Sequence, residues 1–213
     1  MKPKLLATKN QNEIRKPRQE RSRARVDAIL EASKELIVEK GSAGLKIQEI
    51  AKRADVTAGS MYQYFPNKAA IIHALAERYM EHVHELLRTA VKTPPNSLEE
   101  CVDALHLMLD QFYILYREDP VLREIWVSTA ADKNMQDMDI EDSRRNAALL
   151  FPLIRDLFPQ QHWPRLQHFL FLAMHICGSI VRLALSVDSD EGDQLIDVAK
   201  QMLSITLLQK LAC

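Results

Sequence analysis

The chain is 213 residues long, 47% apolar and 27% charged, with a formal net charge of −1. That length holds one or two domains with a sizeable core, and 5 glycines with little β-branched alternation argue against a sheet and for an all-α protein. The total charge says nothing about nucleic acid, but its distribution does. Residues 1–68 carry 15 Lys/Arg against 8 Asp/Glu, and the remainder carries 13 against 21, so a basic N-terminal part is joined to an acidic body.

Residues 1–21 hold Lys2, Lys4, Lys9, Arg15, Lys16, Arg18 and Arg21 among few apolar residues. They read as a mobile basic arm that follows phosphates or reaches a minor groove, or as a solvated tail without a role. The absence of an apolar run there argues against a secretory leader. Ser22 is placed to cap a first helix. Val26, Ile29, Leu30, Ser33, Leu36 and Ile37 line one side of it, and Gly41 stops it.

In the next stretch Ile47, Ile50, Ala51 and Ala54 recur at intervals of three and four. Val56 falls in a turn, and Met61 and Phe65 resume the spacing. Two helices too short to stand alone can share one small core in this way. Thr57 is placed to cap the second, Pro66 ends it, and Asn67 caps the following helix, with Lys68 in its first turn. The segment IQEIAKRADVTAGSMYQYFPNKAAII resembles the DNA-binding motif of the TetR family of transcriptional regulators, with a match over residues 25–75. It follows the pattern I-A-x-x-A-x-V-[ST]-x-G-[ST]-x-Y-x-[YH]-F-x-x-K.

That resemblance implies that Thr57, Gly59, Ser60, Gln63 and Tyr64 lie at the surface of a DNA duplex, and that Tyr62 and Lys68 touch phosphates. Gln63 can hydrogen-bond a base edge, and Ser60 can do so as donor or acceptor. Tyr64 has local packing as its alternative, and Lys46 reads as a phosphate contact or a solvated cation. Two departures stand out. Lys46 occupies the position usually held by a capping Thr, and Asp55 the turn position usually held by Gly. Asp tolerates left-handed geometry better than most residues.

Residues 69–91 form the next expected helix, broken by Pro94–Pro95. Ser97 and Glu100 have capping-box spacing for a helix that stops near Asp119–Pro120. A short helix with Val121, Leu122, Ile125 and Trp126 follows, then a polar loop over residues 131–139. Residues 140–158 read as a helix kinked by Pro152. Another helix runs from Trp163–Pro164 to about Val187, a break covers residues 186–192, and the last helix spans residues 193–211.

In the helix beginning at Trp163, Leu170, Leu172, Ala173, Ile176, Ile180, Leu183 and Ala184 cannot all face one modest core. The apolar run at residues 169–181 is too short for a membrane span and is interrupted by His175, so no membrane partner is expected. A wholly buried core helix is one reading. The other, which the resemblance favours, is a homodimer seam built from the last two long helices. The same resemblance implies an effector cavity among the central helices. His106, Met108, Phe112, Tyr113, Tyr116, Trp126, Phe151 and His175 are the candidates to line it, and they suit a small apolar or mixed-polarity molecule, with plain core packing as the alternative for each.

No nucleophile–base set or metal signature appears among His82, His84, His168 and His175, so neither an enzyme nor a cofactor is expected. Cys101, Cys177 and Cys213 form no close pair and read as reduced thiols. The resulting expectation has three segments: an arm at residues 1–21, a helix-turn-helix domain at 22–68, and an effector-binding and dimerisation domain at 69–213. Together they describe a cytoplasmic, bacterial-type repressor that leaves a palindromic operator when it binds its effector. An activator with the same fold, a small helical enzyme and a protein–protein adaptor are the alternatives.

Overall fold

The computed structural model describes residues 11–90, 93–127 and 132–210, and among these the chain is helical without a strand. It divides into two units, residues 1–74 and 75–213. The first contains α1 (Gln11–Lys40), α2 (Ile47–Arg53) and α3 (Ala58–Tyr64), with the start of α4 (Lys68–Ala90), which crosses the boundary.

The core of the first unit is the one the spacing requires. Ile29, Leu30, Leu36 and Ile37 of α1 are buried with Ile50, Ala51, Met61, Phe65, Ile71 and Ile72. Ser33 sits among them, and its hydroxyl donates to the Ile29 carbonyl at 2.7 Å, so its burial leaves no orphaned donor. Gly41 ends α1 at φ 75, and its N–H donates to the Ile37 carbonyl at 2.8 Å. Lys46 precedes α2 with an extended backbone and no side-chain cap. In place of a cap, α2 has side-chain ties to α1. Lys40 pairs with Glu49 at 2.5 Å, and Arg53 bonds both Glu39 carboxylate oxygens at 2.5 and 3.1 Å. Such exposed pairs each contribute little, whereas full burial of Ile50 contributes about 1.5–3 kcal/mol, so apolar packing holds α2.

The expected start of the first helix is corrected. Because α1 begins at Gln11, Ser22 lies inside it and caps nothing. The arm expected at residues 1–21 therefore overlaps helix from residue 11, and residues 1–10 lie outside the described residues.

The second unit holds α5 (Leu98–Glu118), α6 (Pro120–Val127), α7 (Lys133–Ile154), α8 (Trp163–Ala184) and α9 (Ser189–Ile205), which ends in a π-turn at Thr206–Lys210. α8 packs along α7 and α9, and α5 packs on α6, α8 and α9. The Ser97 hydroxyl accepts the Glu100 N–H at 3.1 Å, while the Glu100 carboxylate reaches one residue past the cap to accept the Asn96 N–H at 2.7 Å. Asp119 does two jobs. One oxygen accepts the Val121 and Leu122 N–H groups that open α6, and the other accepts the Tyr79 hydroxyl at 2.6 Å, which ties α4 to α6.

Two more expectations are corrected. Residues 133–139 are helix rather than loop, because Asp132 accepts the N–H groups of Asn134 and Met135 and Met135 anchors the first turn by full burial. The break before α9 closes at Asp188, which accepts the Glu191 N–H at 3.1 Å, so Gly192 belongs to the first turn of α9. Pro152 lies in the last turn of α7, which ends two residues later and continues as a single 3-10 turn, Arg155–Leu157.

α8 is apolar on more than one side. Leu166, Leu170, Ala173, Cys177, Val181 and Ala184 are buried, whereas Leu172 and Leu183 face outward. By length and composition alone, Gln160–Ala184 would suffice to cross a membrane. Its buried stripe against α7 and α9 is that of a core helix.

Candidate nucleic-acid interface and ligand cavity

The turn between α2 and α3 has a defined geometry. The Ala54 N–H donates to Ile50 and the Val56 N–H to the Ala51 carbonyl at 3.0 Å, with Asp55 between them at φ 52. This is a Schellman arrangement, which requires a left-handed residue at the position of Asp55. Thr57 then caps α3 by accepting the Ser60 N–H at 3.1 Å. Met61 is turned fully into the core, so positions a residue or two to either side of it must face out.

Those positions hold half of the candidate readers, Gly59, Ser60, Tyr62 and Gln63. Lys46, Thr57, Gly59, Tyr62 and Gln63 are exposed, and Ser60, whose N–H the Thr57 cap accepts, is half-buried. A Cβ on Gly59 would meet nothing within 4 Å, so the backbone there is open to close approach. Tyr62 is 51% exposed, a large ring left outside the core on a two-turn helix. Lys68 is half-buried and its ammonium donates to the Ala43 carbonyl at 3.3 Å, while Asn67 caps α4 by accepting the Ala70 N–H at 2.9 Å. Tyr64 stands apart from the rest. Hydrogen bonds from Ser22 and Arg25 of α1 hold its phenol below the usual tyrosine range, so its hydroxyl is engaged within the unit. Ser22, misread from sequence as a cap, thus helps orient a residue of α3.

The second unit holds a partly open cavity, whose empty space amounts to about 760 Å³ when its mouth and the solvent in it are counted. Of the aromatic and Met candidates, Met108, Phe112, Tyr116 and Trp126 line it. Four others do not. The imidazole of His106 is turned to α9 and bonds the Ser204 hydroxyl at 2.7 Å. Tyr113 packs against the first turn of α9 at Gly192. Phe151 stacks edge-on with Trp163, ring centroids 5.9 Å apart. His175 lies one layer out, with Nδ1 3.2 Å from the Ser143 hydroxyl and 3.8 Å from the Asp139 carboxylate.

Composition and aromatic content gave no sign of the cavity's polar wall. Asp139, Asp142, Ser143 and Asn146 line it from one face of α7, and Arg182 of α8 lines it with them. Their spacing of three, one and three is the signal that a search for apolar periodicity passes over. His84 Nδ1 lies 2.8 Å from Asn146 Oδ1, and Asn146 Nδ2 donates to Asp142 at 2.9 Å, so the two bonds form a short relay that orients the carboxylate. Burial pushes the Asp142 carboxyl up to about 6 and raises Asp139 in the same direction. Burial also pushes the Cys101 thiol up to about 11 and that of Cys177 to about 12, the opposite of what a reactive cysteine needs. Cys213 lies outside the described residues.

Comparison with known proteins agrees with this division. Residues 29–75 match the family described as bacterial regulatory proteins, tetR family, and residues 99–211 match the tetracyclin repressor-like C-terminal domain. The chain is 33% identical over 99 residues to the HTH-type transcriptional repressor KstR of Rhodococcus jostii, an alignment covering 45% of this chain and 42% of that protein. It is 29% identical over 111 residues to the HTH-type transcriptional regulator YvdT of Bacillus subtilis, covering 52% and 55% respectively. The chain thus spans about half the length of these relatives. A TetR-family transcriptional regulator from Streptomyces coelicolor superposes with a TM-score of 0.65 at 25% identity, covering 89% of this chain and 98% of that one. The matched families and relatives are transcriptional regulators, not enzymes.

Proposed function

The chain belongs to the TetR family of helix-turn-helix transcriptional regulators, and from that premise we propose that it is a cytoplasmic, homodimeric repressor released from a palindromic operator by a small molecule. The observation that carries the reading is the outward face of α3. Gly59, Tyr62 and Gln63 stand exposed on a short helix whose N-terminus Thr57 caps and whose inner side Met61 anchors. In this reading Gln63 and Ser60 address base edges, and Tyr62, Lys46 and Lys68 address phosphates. Tyr64 positions α3 through its bonds to α1 rather than reading DNA.

Dimerisation is supported by a second exposed surface. Leu172 and Leu183 of α8, with Val198, Met202 and Ile205 of α9, are each more than half exposed. The α9 trio recurs at four and three, so it forms one stripe of the helix. Two such stripes pairing around a twofold axis form a four-helix seam, and the twofold axis demands a symmetric operator. Coupling between cavity and reader has a continuous element available to it. α4 carries Lys68 in its first turn, and Tyr79, Met80, Val83 and Leu87 further along it line the cavity.

The test is fluorescence anisotropy with duplexes from the region upstream of the protein's own gene, followed by footprinting. A dimer that protects a palindrome with Kd of about 10 nM or tighter, and that leaves it on adding a cavity ligand, is the expected result. A monomer with no preference over random duplex would end the proposal. Tighter binding with ligand, together with increased transcription, would make the protein an activator.

A further inference from the structure

The polar wall of the cavity carries more negative charge than the chain neutralises. Asp139 and Asp142 face a chamber lined also by Ser143, Asn146 and one cation, Arg182, and otherwise mostly by aromatic and aliphatic groups; among the described residues no Lys or Arg lies within ion-pair distance of either carboxylate. The neighbours that might have done so are committed elsewhere. Arg145 bonds both oxygens of Glu81, at 2.6 and 3.1 Å. Arg182 donates to the Ser179 hydroxyl at 2.8 Å and lies over the Trp126 ring, 5.6 Å from its centroid. His84 is taken by Asn146, and His175, 3.8 Å from Asp139, is the one neighbour turned to a carboxylate and carries charge only when protonated. A half-buried carboxylate without a permanently charged partner is costly, and a cation that supplies that partner recovers the cost.

A second, independent feature also points to a ligand. Trp126 is 93% buried and lines the same cavity, yet its indole N–H has no acceptor in hydrogen-bonding geometry, although the Tyr116 hydroxyl is near. Orphaned donors of this kind are rare in folded cores. An entrance is available, since Val83, Leu87, Met108 and Phe112 line both the cavity and an adjoining open groove between α4 and α5.

Building on the proposal that this cavity is the effector site, we infer that its ligand is a lipophilic cation. An ammonium-type centre sits against Asp139 and Asp142, an apolar or aromatic body lies on Phe112 and Tyr116, and an acceptor atom faces the Trp126 N–H. The aromatic walls favour such a cation further through their ring faces. A neutral analogue leaves the carboxylates unpaired, and an anionic one meets them with like charge.

Calorimetry on the full-length protein with 4-phenylbutyltrimethylammonium, 4-phenylbutanol and 4-phenylbutanoate decides the matter. The ammonium should bind at least about tenfold more tightly than the other two. The Asp139→Asn/Asp142→Asn double variant should erase that preference. If the double variant does not fold, the single Asp142→Asn variant should lose most of the preference. Equal binding of the alcohol or the carboxylate, no saturable binding of the ammonium, or an unchanged preference in the variants would each overturn the inference. Operator release is read separately. Ammonium binding that leaves DNA affinity untouched removes effector control but not the ligand class, whereas release by uncharged or anionic compounds alone removes the ligand class but not effector control.

Discussion

A Cβ placed on Gly192 would stand 2.4 Å from the Ala184 carbonyl oxygen and 3.0 Å from the Tyr113 hydroxyl. The first turn of α9 is therefore seated directly on the end of α8 and on α5, and only a residue without a side chain permits that approach. Gly192→Ala must push α9 off its seat, because the first obstruction is backbone and cannot rotate away. The expected cost is about 1–3 kcal/mol, read as a fall in Tm of about 3–10 °C by calorimetry. Since α9 carries half of the proposed seam, the dimer should also dissociate at a higher protein concentration. A melting temperature within a degree of the parent would mean that the two helices do not meet this closely.

Asp55 holds a left-handed backbone at φ 52 that most residues resist. Asp55→Gly relieves that conformation and should leave stability unchanged or raise it by up to about 1 kcal/mol. Asp55→Val should lower it by about 1–2 kcal/mol or more, because a β-branched side chain suits this region least. Urea unfolding of the two variants gives the sign of each effect. The same order should appear in DNA affinity, since this residue sets the path from α2 into α3.

Much of the reader was legible because its constraints are local. Gly41, Asp55, Thr57 and Asn67 each fix one turn through their own backbone or side chain, and the structure gives each the role its residue type suggests. The start of α1 was not legible, because Ser22 is a good capping residue whose hydroxyl is used instead by Tyr64, at a distance in sequence that no local pattern reveals. The start of α7 was missed for a different reason. Residues 133–139 hold only Met135 and Met138 among polar side chains, so the opening turns of a helix looked like a loop to a reading that seeks apolar periodicity. The misread stretch and the cavity wall share Asp139, where the polar face of α7 begins.

The raised carboxyls of that wall make stability depend on pH in a defined direction. Burial raises Asp142 from about 3.8 to about 6, and Asp139, His84 and Arg145 are the charged or titratable groups acting on it. A group raised on folding binds its proton more tightly in the folded state. Its stabilising contribution is complete below about pH 3.8 and is lost as pH rises through about 6. Asp142→Asn should therefore be more stable than the parent at pH 7.5, by about 1–2 kcal/mol after allowing for partial solvent screening. The advantage should vanish near pH 4. Melting curves at the two pH values test this, and an advantage that persists unchanged at pH 4 would assign the effect to something other than ionisation.

The exposed stripe on α8 and α9 predicts a monomerising variant that remains folded. Leu183 and Met202 are 54% and 61% exposed, so a charged replacement at either breaks no packing within the chain. Leu183→Glu/Met202→Glu should elute as a monomer in size-exclusion chromatography with light scattering, keep its helical circular dichroism, and bind operator weakly, because the second half-site no longer adds to the first. A double variant that remains dimeric would move the seam to another surface.

Three substitutions, just before α2, on α3 and on α4, separate the two kinds of contact proposed for the reader. Lys46 is exposed and forms no side-chain cap, so Lys46→Ala removes a cation with little effect on folding. It should weaken binding to all duplexes alike and lower the slope of log K against log salt by about one. Lys68→Ala should act in the same sense but with a small stability loss, because its ammonium also holds the Ala43 carbonyl. Gln63 lies exposed on α3, one residue past Tyr62. If it reads a base edge, Gln63→Ala should cost about 1–3 kcal/mol on the operator and almost nothing on random duplex, and it should relax preference at one base pair in each half-site. The ratio of operator to random affinity, measured at one salt concentration, distinguishes these roles. A Gln63→Ala protein that keeps that ratio would leave Ser60 and the exposed backbone at Gly59 as the groups of α3 that discriminate sequence.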